Sequence, residues 1–163
     1  MRVLFLHADR FSYKVTGETS VTKLLDPIPL EMNEGNADEV LVCFIAVEKN
    51  DAEKATGIVS NFIKEIESLA SSINCRRVFL YPYAHLSAEL ESPRAAVKVL
   101  DLSQEMLTER GGYEIFRAPF GVYKEFDIKI KGHPLSELGK TITAEKGESV
   151  LESSALKAEF ALQ

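Results

Sequence analysis

Apolar and polar positions alternate in blocks that separate strands from helices. Residues 1–8 (MRVLFLHA) carry apolar side chains in both registers, the pattern of a strand covered on both faces. FSYKVT (11–16) follows closely and reads as its hairpin partner. Residues 17–38, with Gly17, Pro27, Pro29 and Gly35 among many polar residues, read as loop. EVLVCFIAVE (39–48) is β-branched and aromatic, the strongest strand pattern in the chain. From about residue 51 to 73, Ile58, Phe62, Ile66, Leu69 and Ile73 recur at helical spacing and form one apolar stripe. RRVFLY (76–81) is a further buried strand, stopped by Pro82.

Ser92 and Pro93 then read as a helix N-cap and a proline in the first turn. That helix turns Ala96, Val99, Leu100 and Leu107 inward and ends at Gly111-Gly112. YEIFRA (113–118) and VYKEFDIKIK (122–131) are strands on either side of Pro119-Phe120-Gly121. A short helical turn is expected at 136–140, leading into TIT (141–143). The order β-β-β-α-β-α-β-β predicts one α/β domain, a mixed sheet with covering helices, over residues 1–143. Residues 144–163 are polar with scattered Leu, Val and Phe, and read as a tail or linker that is either a loose helix or the start of a connection.

With 163 residues, of which 45% are apolar and 27% charged, the chain has the profile of a soluble globular domain. Nineteen basic side chains against twenty-five acidic ones leave a net charge of −6. That excludes a protein that coats a nucleic-acid backbone, though not one that touches only the end of an RNA. There is no apolar run of membrane-spanning length and no secretion signal, so a cytoplasmic location without membrane contact is expected. Cys43 and Cys75 make no CxxC, and the His and Cys residues show no zinc spacing. Both cysteines read as buried or inert thiols, and no metal or cofactor is expected. Nucleophile elbow, Walker loop, HExxH and dinucleotide motifs are absent.

Four positions carry candidate chemistry. On the strand after Gly121, Val122, Phe126, Ile128 and Ile130 share the core-facing parity; Tyr123, Glu125, Asp127, Lys129 and Lys131 share the other. Lys124 falls on the apolar parity, where an ammonium is costly unless it reaches a partner or a cavity. On periodicity alone, a functional lysine and one that snorkels from a frayed strand end stand equal. His85 lies just beyond the strand 76–81, where α/β sheets collect ligands, although a surface loop histidine is the plainer reading. Glu137, in GHPLSEL, reads as a first-turn acid favoured by the helix dipole, or as a group that orients a lysine or histidine. Phe120 packs either on a base or on the core.

Two segments, FLYPYAHLSAEL (79–90) and APFGVYKEFDIKIKGHPLSELGKTI (118–142), resemble the N-terminal editing domain of archaeal-type threonyl-tRNA synthetase. MRVLFLHAD and EVLVCFIAVEK are similar to it too, so the likeness runs in order over about residues 1–143. The resemblance implies the fold of D-aminoacyl-tRNA deacylases, commonly a homodimer, and hydrolysis of L-serine wrongly esterified to threonine tRNA. Carried over, the family's lysine falls on Lys124, its tyrosine on Tyr123, its histidine on His85 and its glutamate on Glu137. Ala46, Val47, Pro82 and Ala84 match pocket-wall positions, and Val122 stands where some members have tyrosine. The implied partners are the 3′-terminal aminoacyl-adenosine of tRNA(Thr), its serine moiety and the remaining synthetase domains. The implied mechanism is attack by water, helped by the free ribose hydroxyl. Lys124 binds the serine side chain or the water, and His85 holds the ribose or the water. Glu137 orients Lys124, and Tyr123 shapes the pocket. A D-aminoacyl-tRNA deacylase and a non-catalytic dimerising module are the alternatives.

Overall fold

The N-terminal apolar run does not turn back on itself. In the computed structural model, which describes residues 1–145 and the backbone of 149–151, it continues as one 17-residue strand, β1 (Arg2–Glu18). Its antiparallel partner is β2 (Glu34–Ala46), in register from Arg2↔Ala46 to Lys14↔Glu34. Midway, both strands flip their faces. Ala8 and Phe11 lie on the same side of the sheet, as do Val40 and Ala37, so each strand slips one residue in phase. Asp9 and Glu39 sit at the slip, and Glu39 takes a left-handed φ of 47°. Lys131 holds both carboxylates, at 2.5 Å from Asp9 and 2.8 Å from Glu39. A slip in alternation reads the same as a turn, which is why FSYKVT resembles a hairpin partner although it is the second half of β1.

The remaining elements are α1 (Ala55–Ile73), β3 (Arg77–Pro82), α2 (Pro93–Arg110), β4 (Glu114–Arg117), β5 (Val122–Ile130), β6 (Glu137–Ile142) and β7 (Ser149–Leu151). The sheet order is β4-β3-β2-β1-β6-β7, with β5 pairing the second half of β1. The β2–β3 and β3–β4 pairs are parallel, joined through α1 and α2, and the others are antiparallel. Both helices cover one face. There Phe5, Leu41 and Ile45 meet Phe62 and Ile66 of α1 and Val99 and Leu107 of α2. Each such side chain contributes about 1.5–3 kcal/mol on burial, so this face supplies most of the cohesion. The other face holds aromatic rings, Phe11, Tyr13, Phe44, Phe79 and Tyr81, and β5 curls over them. Phe126 of β5 reaches Phe44 at 5.2 Å and Tyr81 at 5.8 Å between ring centroids.

The mixed sheet, both long helices and the Gly111-Gly112 stop are as expected, and the two glycines take φ of 74° and 83°. Several local expectations are corrected. The segment 17–38 is loop only in part, because it is entered by β1 and left by β2, with short 3-10 turns at Thr22–Leu24 and Leu30–Met32. Ser92 stands at the N-cap of α2, but its hydroxyl makes no capping bond. Residues 136–140 are not helical: the chain turns at Ser136, whose N–H donates to the His133 carbonyl at 3.1 Å, and Glu137 starts β6. The resulting order is β-β-α-β-α-β-β-β-β. The even positions of β5 do face the sheet, but the strand covers only an edge of the aromatic face, leaving Phe126 40% exposed. Within the expected tail, 149–151 pair with β6 as β7; residues 146–148 and 152–163 lie outside the described residues.

Candidate functional site

Parallel strands β2 and β3 end side by side, which brings several of the candidate positions together. Pro82 pairs with Ile45, and the Tyr83 N–H donates to the Ile45 carbonyl at 2.8 Å. The 83–91 connection is stitched to the segment after β2, with Glu91 N–H on the Val47 carbonyl and Lys49 N–H on the Glu89 carbonyl, each at 3.0 Å. Ala46, Pro82, Ala84 and His85 are thereby gathered at one end of the sheet. His85 lies in a 3-10 turn (Ala84–Leu86), exposed, with its ring edge-on to Tyr83 at 5.2 Å.

Lys124 reaches the aromatic face from β5. The connection before it turns at Gly121, whose φ is +83°, and the Thr19 and Thr22 hydroxyls both donate to the Gly121 carbonyl at 2.8 and 2.6 Å. This fixes the Pro119–Gly121 turn against the start of the 19–32 segment. Lys124 then folds back. Its ammonium donates to the Pro119 carbonyl at 2.5 Å and stands 4.8 Å from the centre of the Tyr81 ring. The ring face favours the cation. Desolvation works against it and lowers the lysine pKa to about 8. From Lys124 a run of rings leads to His85: Tyr81 to Tyr83 at 6.4 Å, then Tyr83 to His85. The lysine and histidine therefore lie at two ends of one aromatic cluster, linked through Tyr81 and Tyr83.

The other candidates divide. Tyr123 alternates to the opposite side of β5, beside Gly17, and is 63% exposed. Glu137 is exposed on β6, paired with Leu6, while the contacts of Lys124 are the Pro119 carbonyl and the Tyr81 ring. The Val47 side chain belongs to the helix-side core, and Phe120 leans on that same core. Two cavities, of about 890 and 630 Å³, are lined by other residues than Lys124 and His85. Sequence reasoning missed Tyr81, Tyr83 and the Pro119 carbonyl. The rings were visible as Phe79, Tyr81 and Tyr83 at strand spacing, but a lysine's choice of a backbone oxygen leaves no mark in sequence.

A curled mixed sheet with two helices on one face, and a part-desolvated lysine against an aromatic cluster on the other, define an α/β domain with a candidate polar site at the strand ends. Residues 1–142 match the archaea-specific editing domain of threonyl-tRNA synthetase, and the chain belongs to that family. Among its relatives, a threonine--tRNA ligase of Thermococcus kodakarensis is 47% identical over 149 residues, covering 91% of this chain and 23% of the relative. One of Methanopyrus kandleri is 42% identical over 160 residues (98% and 25%), and one of Pyrococcus horikoshii 43% over 159 (98% and 25%). The chain spans about a quarter of the length of these relatives. Among the described residues, no helix is long and apolar enough to cross a membrane.

Proposed function

We propose that the domain hydrolyses the ester of L-serine mistakenly attached to tRNA(Thr), as the proofreading part of a larger cytoplasmic threonine--tRNA ligase. Serine lacks only the methyl group of threonine. A synthetic pocket gains about 1–3 kcal/mol from one such group, too little for accurate translation, so a second site must admit the smaller side chain and clash with the methyl. The observation that carries the reading is the Lys124 ammonium, held on the Pro119 carbonyl over the Tyr81 ring and linked to His85 through the Tyr81 and Tyr83 rings.

One of three ammonium protons is committed to Pro119, which leaves two for the serine hydroxyl or the attacking water. His85 serves as the group that holds the ribose or the water. Water is the nucleophile, positioned with the help of the free hydroxyl of the terminal ribose, and no covalent enzyme intermediate is needed. The Pro119 carbonyl orients the Lys124 ammonium, and Tyr123, exposed on the other side of β5, serves the tRNA side. Ala46, Pro82 and Ala84 form the apolar wall. The chain acts as a homodimer and relies on the other synthetase domains for most of its tRNA affinity, in keeping with its net charge of −6.

The test is a side-by-side incubation with L-seryl-, L-threonyl- and D-aminoacyl-tRNA. The seryl ester is expected to disappear while the threonyl ester persists. Preferred loss of the D-aminoacyl ester assigns a deacylase instead, and loss of none leaves a dimerising module. Replacing the free ribose hydroxyl by hydrogen is expected to abolish turnover; unchanged turnover removes the RNA from the mechanism.

A further inference from the structure

The Pro119–Phe120 turn has two sides. One holds the Lys124 ammonium through the Pro119 carbonyl. The other lines the cleft of about 630 Å³ that runs between the first turns of α2 and residues 24–32. The cleft is amphipathic in a specific way. Its apolar lining includes Phe120, Pro27 and Met32, and its charged lining includes Arg94 and Lys98, four residues apart on α2 and therefore on one helix face. Both side chains are exposed, and neither has an ion-pair partner among the described residues. Arg117 also lines the cleft but is already tied to Asp101 at 2.6 Å and to Gln104 at 3.1 Å. With Asp26 the lining sums to +1, on a chain whose total is −6.

We infer that this cleft receives the nucleotide joined to the 5′ side of the terminal adenosine, its phosphate on Arg94 and Lys98 and its base against Phe120. The inference rests on the editing reading above, which puts the aminoacyl ester at Lys124. A single-stranded RNA end entering that site needs a continuous path on which backbone charge is met by unpaired cations and bases by flat apolar surface. The cleft offers both, and it shares Pro119 with the contact that holds the lysine. An acidic peptide would use the cations but not the aromatic lining, so a nucleotide is the better fit.

The experiment uses Arg94→Ala/Lys98→Ala, two exposed helix positions at which alanine keeps the helix. Seryl-tRNA(Thr) and 3′-O-seryl-adenosine, which lacks the preceding nucleotide, are compared as substrates. The expected result is a loss of about tenfold in kcat/KM for seryl-tRNA, through KM, with the seryl-adenosine rate unchanged. The salt dependence of tRNA binding should become shallower by about 1.4 in log–log slope, as for two phosphate contacts on a single strand. Equal losses on both substrates, or no loss on tRNA, overturn the inference while leaving the editing reading in place. If the unmodified chain cleaves neither ester, the editing reading falls. Binding of the trinucleotide CCA, followed by fluorescence anisotropy, then decides the cleft by itself: weaker binding by the double variant supports it, and equal binding overturns it.

Discussion

The Lys124 ammonium donates to the Pro119 carbonyl at 2.5 Å, closing the turn that precedes its own strand. A cation placed there is partly stripped of water, and its pKa falls from the ordinary lysine value to about 8. The sign of the stability effect follows. Folding favours the neutral amine, so the charged form destabilises the fold below about pH 8, and that cost fades as pH rises from 8 toward 10.5. Lys124→Met removes the charge and keeps the length of the side chain. The variant should be more stable than the parent at pH 7 by on the order of 1 kcal/mol, the lost ring and carbonyl contacts offsetting part of the gain. It should also hydrolyse seryl-tRNA at least about a hundredfold more slowly. Urea unfolding at pH 7 and pH 10, with deacylation rates, checks both; parent-like activity removes lysine from the mechanism.

The same shift predicts a pH profile. The carbonyl and the ring both select the ammonium, so the protonated lysine is the working form. Above about pH 8, after subtraction of spontaneous ester hydrolysis, kcat should fall as Lys124 loses its proton. A rate that rises through that range instead assigns Lys124 the role of proton acceptor.

How far the sequence reaches can be seen at Lys124 itself. Alternation put it on the sheet-facing parity of β5, and the structure agrees. What alternation lacked was the partner, because the Pro119 carbonyl is a backbone group whose direction depends on the turn at Gly121. Glu137 shows the opposite failure. GHPLSEL has the look of a helix start, yet pairing with β1 outweighs the local preference, and Glu137 becomes the first residue of a strand. The break between the two halves of β1 was visible as a phase slip. A slip alone does not distinguish a turn from a kink, and the Lys131 clip on Asp9 and Glu39 that makes it a kink joins residues far apart in the chain. The helices, governed by local spacing, came through best: α2 starts at Pro93 as expected, while α1 ends at Ile73 as expected but begins at Ala55, after a 3-10 turn over Asp51–Lys54.

Gly121 carries the geometry of the whole turn. Its φ of +83° suits glycine, and a Cβ there would lie 2.8 Å from Leu25 Cδ1 and 3.3 Å from Val21 Cγ1. Gly121→Ala should cost about 1–3 kcal/mol of stability, since it forces both an unfavourable backbone region and a shift of Leu25. It should also lower kcat, because the Pro119 carbonyl that holds Lys124 moves with the turn. Thermal unfolding and seryl-tRNA deacylation measure the two effects. Full activity in a destabilised variant would show that the position of the carbonyl does not matter.

A pair of histidines predicts a loss of stability on the acid side. His7 on β1 is buried, and its Nδ1 lies 2.8 Å from Nε2 of His133, whose own Nδ1 accepts the Leu135 N–H at 3.1 Å. With that nitrogen accepting, neutral His133 carries its proton on Nε2 and donates to His7, so the pair has no room for a further proton between the rings. Burial, then the neighbouring His133 and Lys131, lower the His7 pKa, while Glu39 and Asp9 pull the other way. A histidine depressed in the folded state contributes stability above its unfolded value of about 6.5, and that contribution is lost as pH falls from there toward the folded pKa. Stability should therefore decline below about pH 6.5 in the parent. His7→Phe, which keeps a ring and cannot titrate, should flatten that decline when urea midpoints are measured from pH 5 to 8. A decline of unchanged steepness in the variant would place the acid sensitivity in other groups, with the carboxylates Asp9 and Glu39 on Lys131 the next to test.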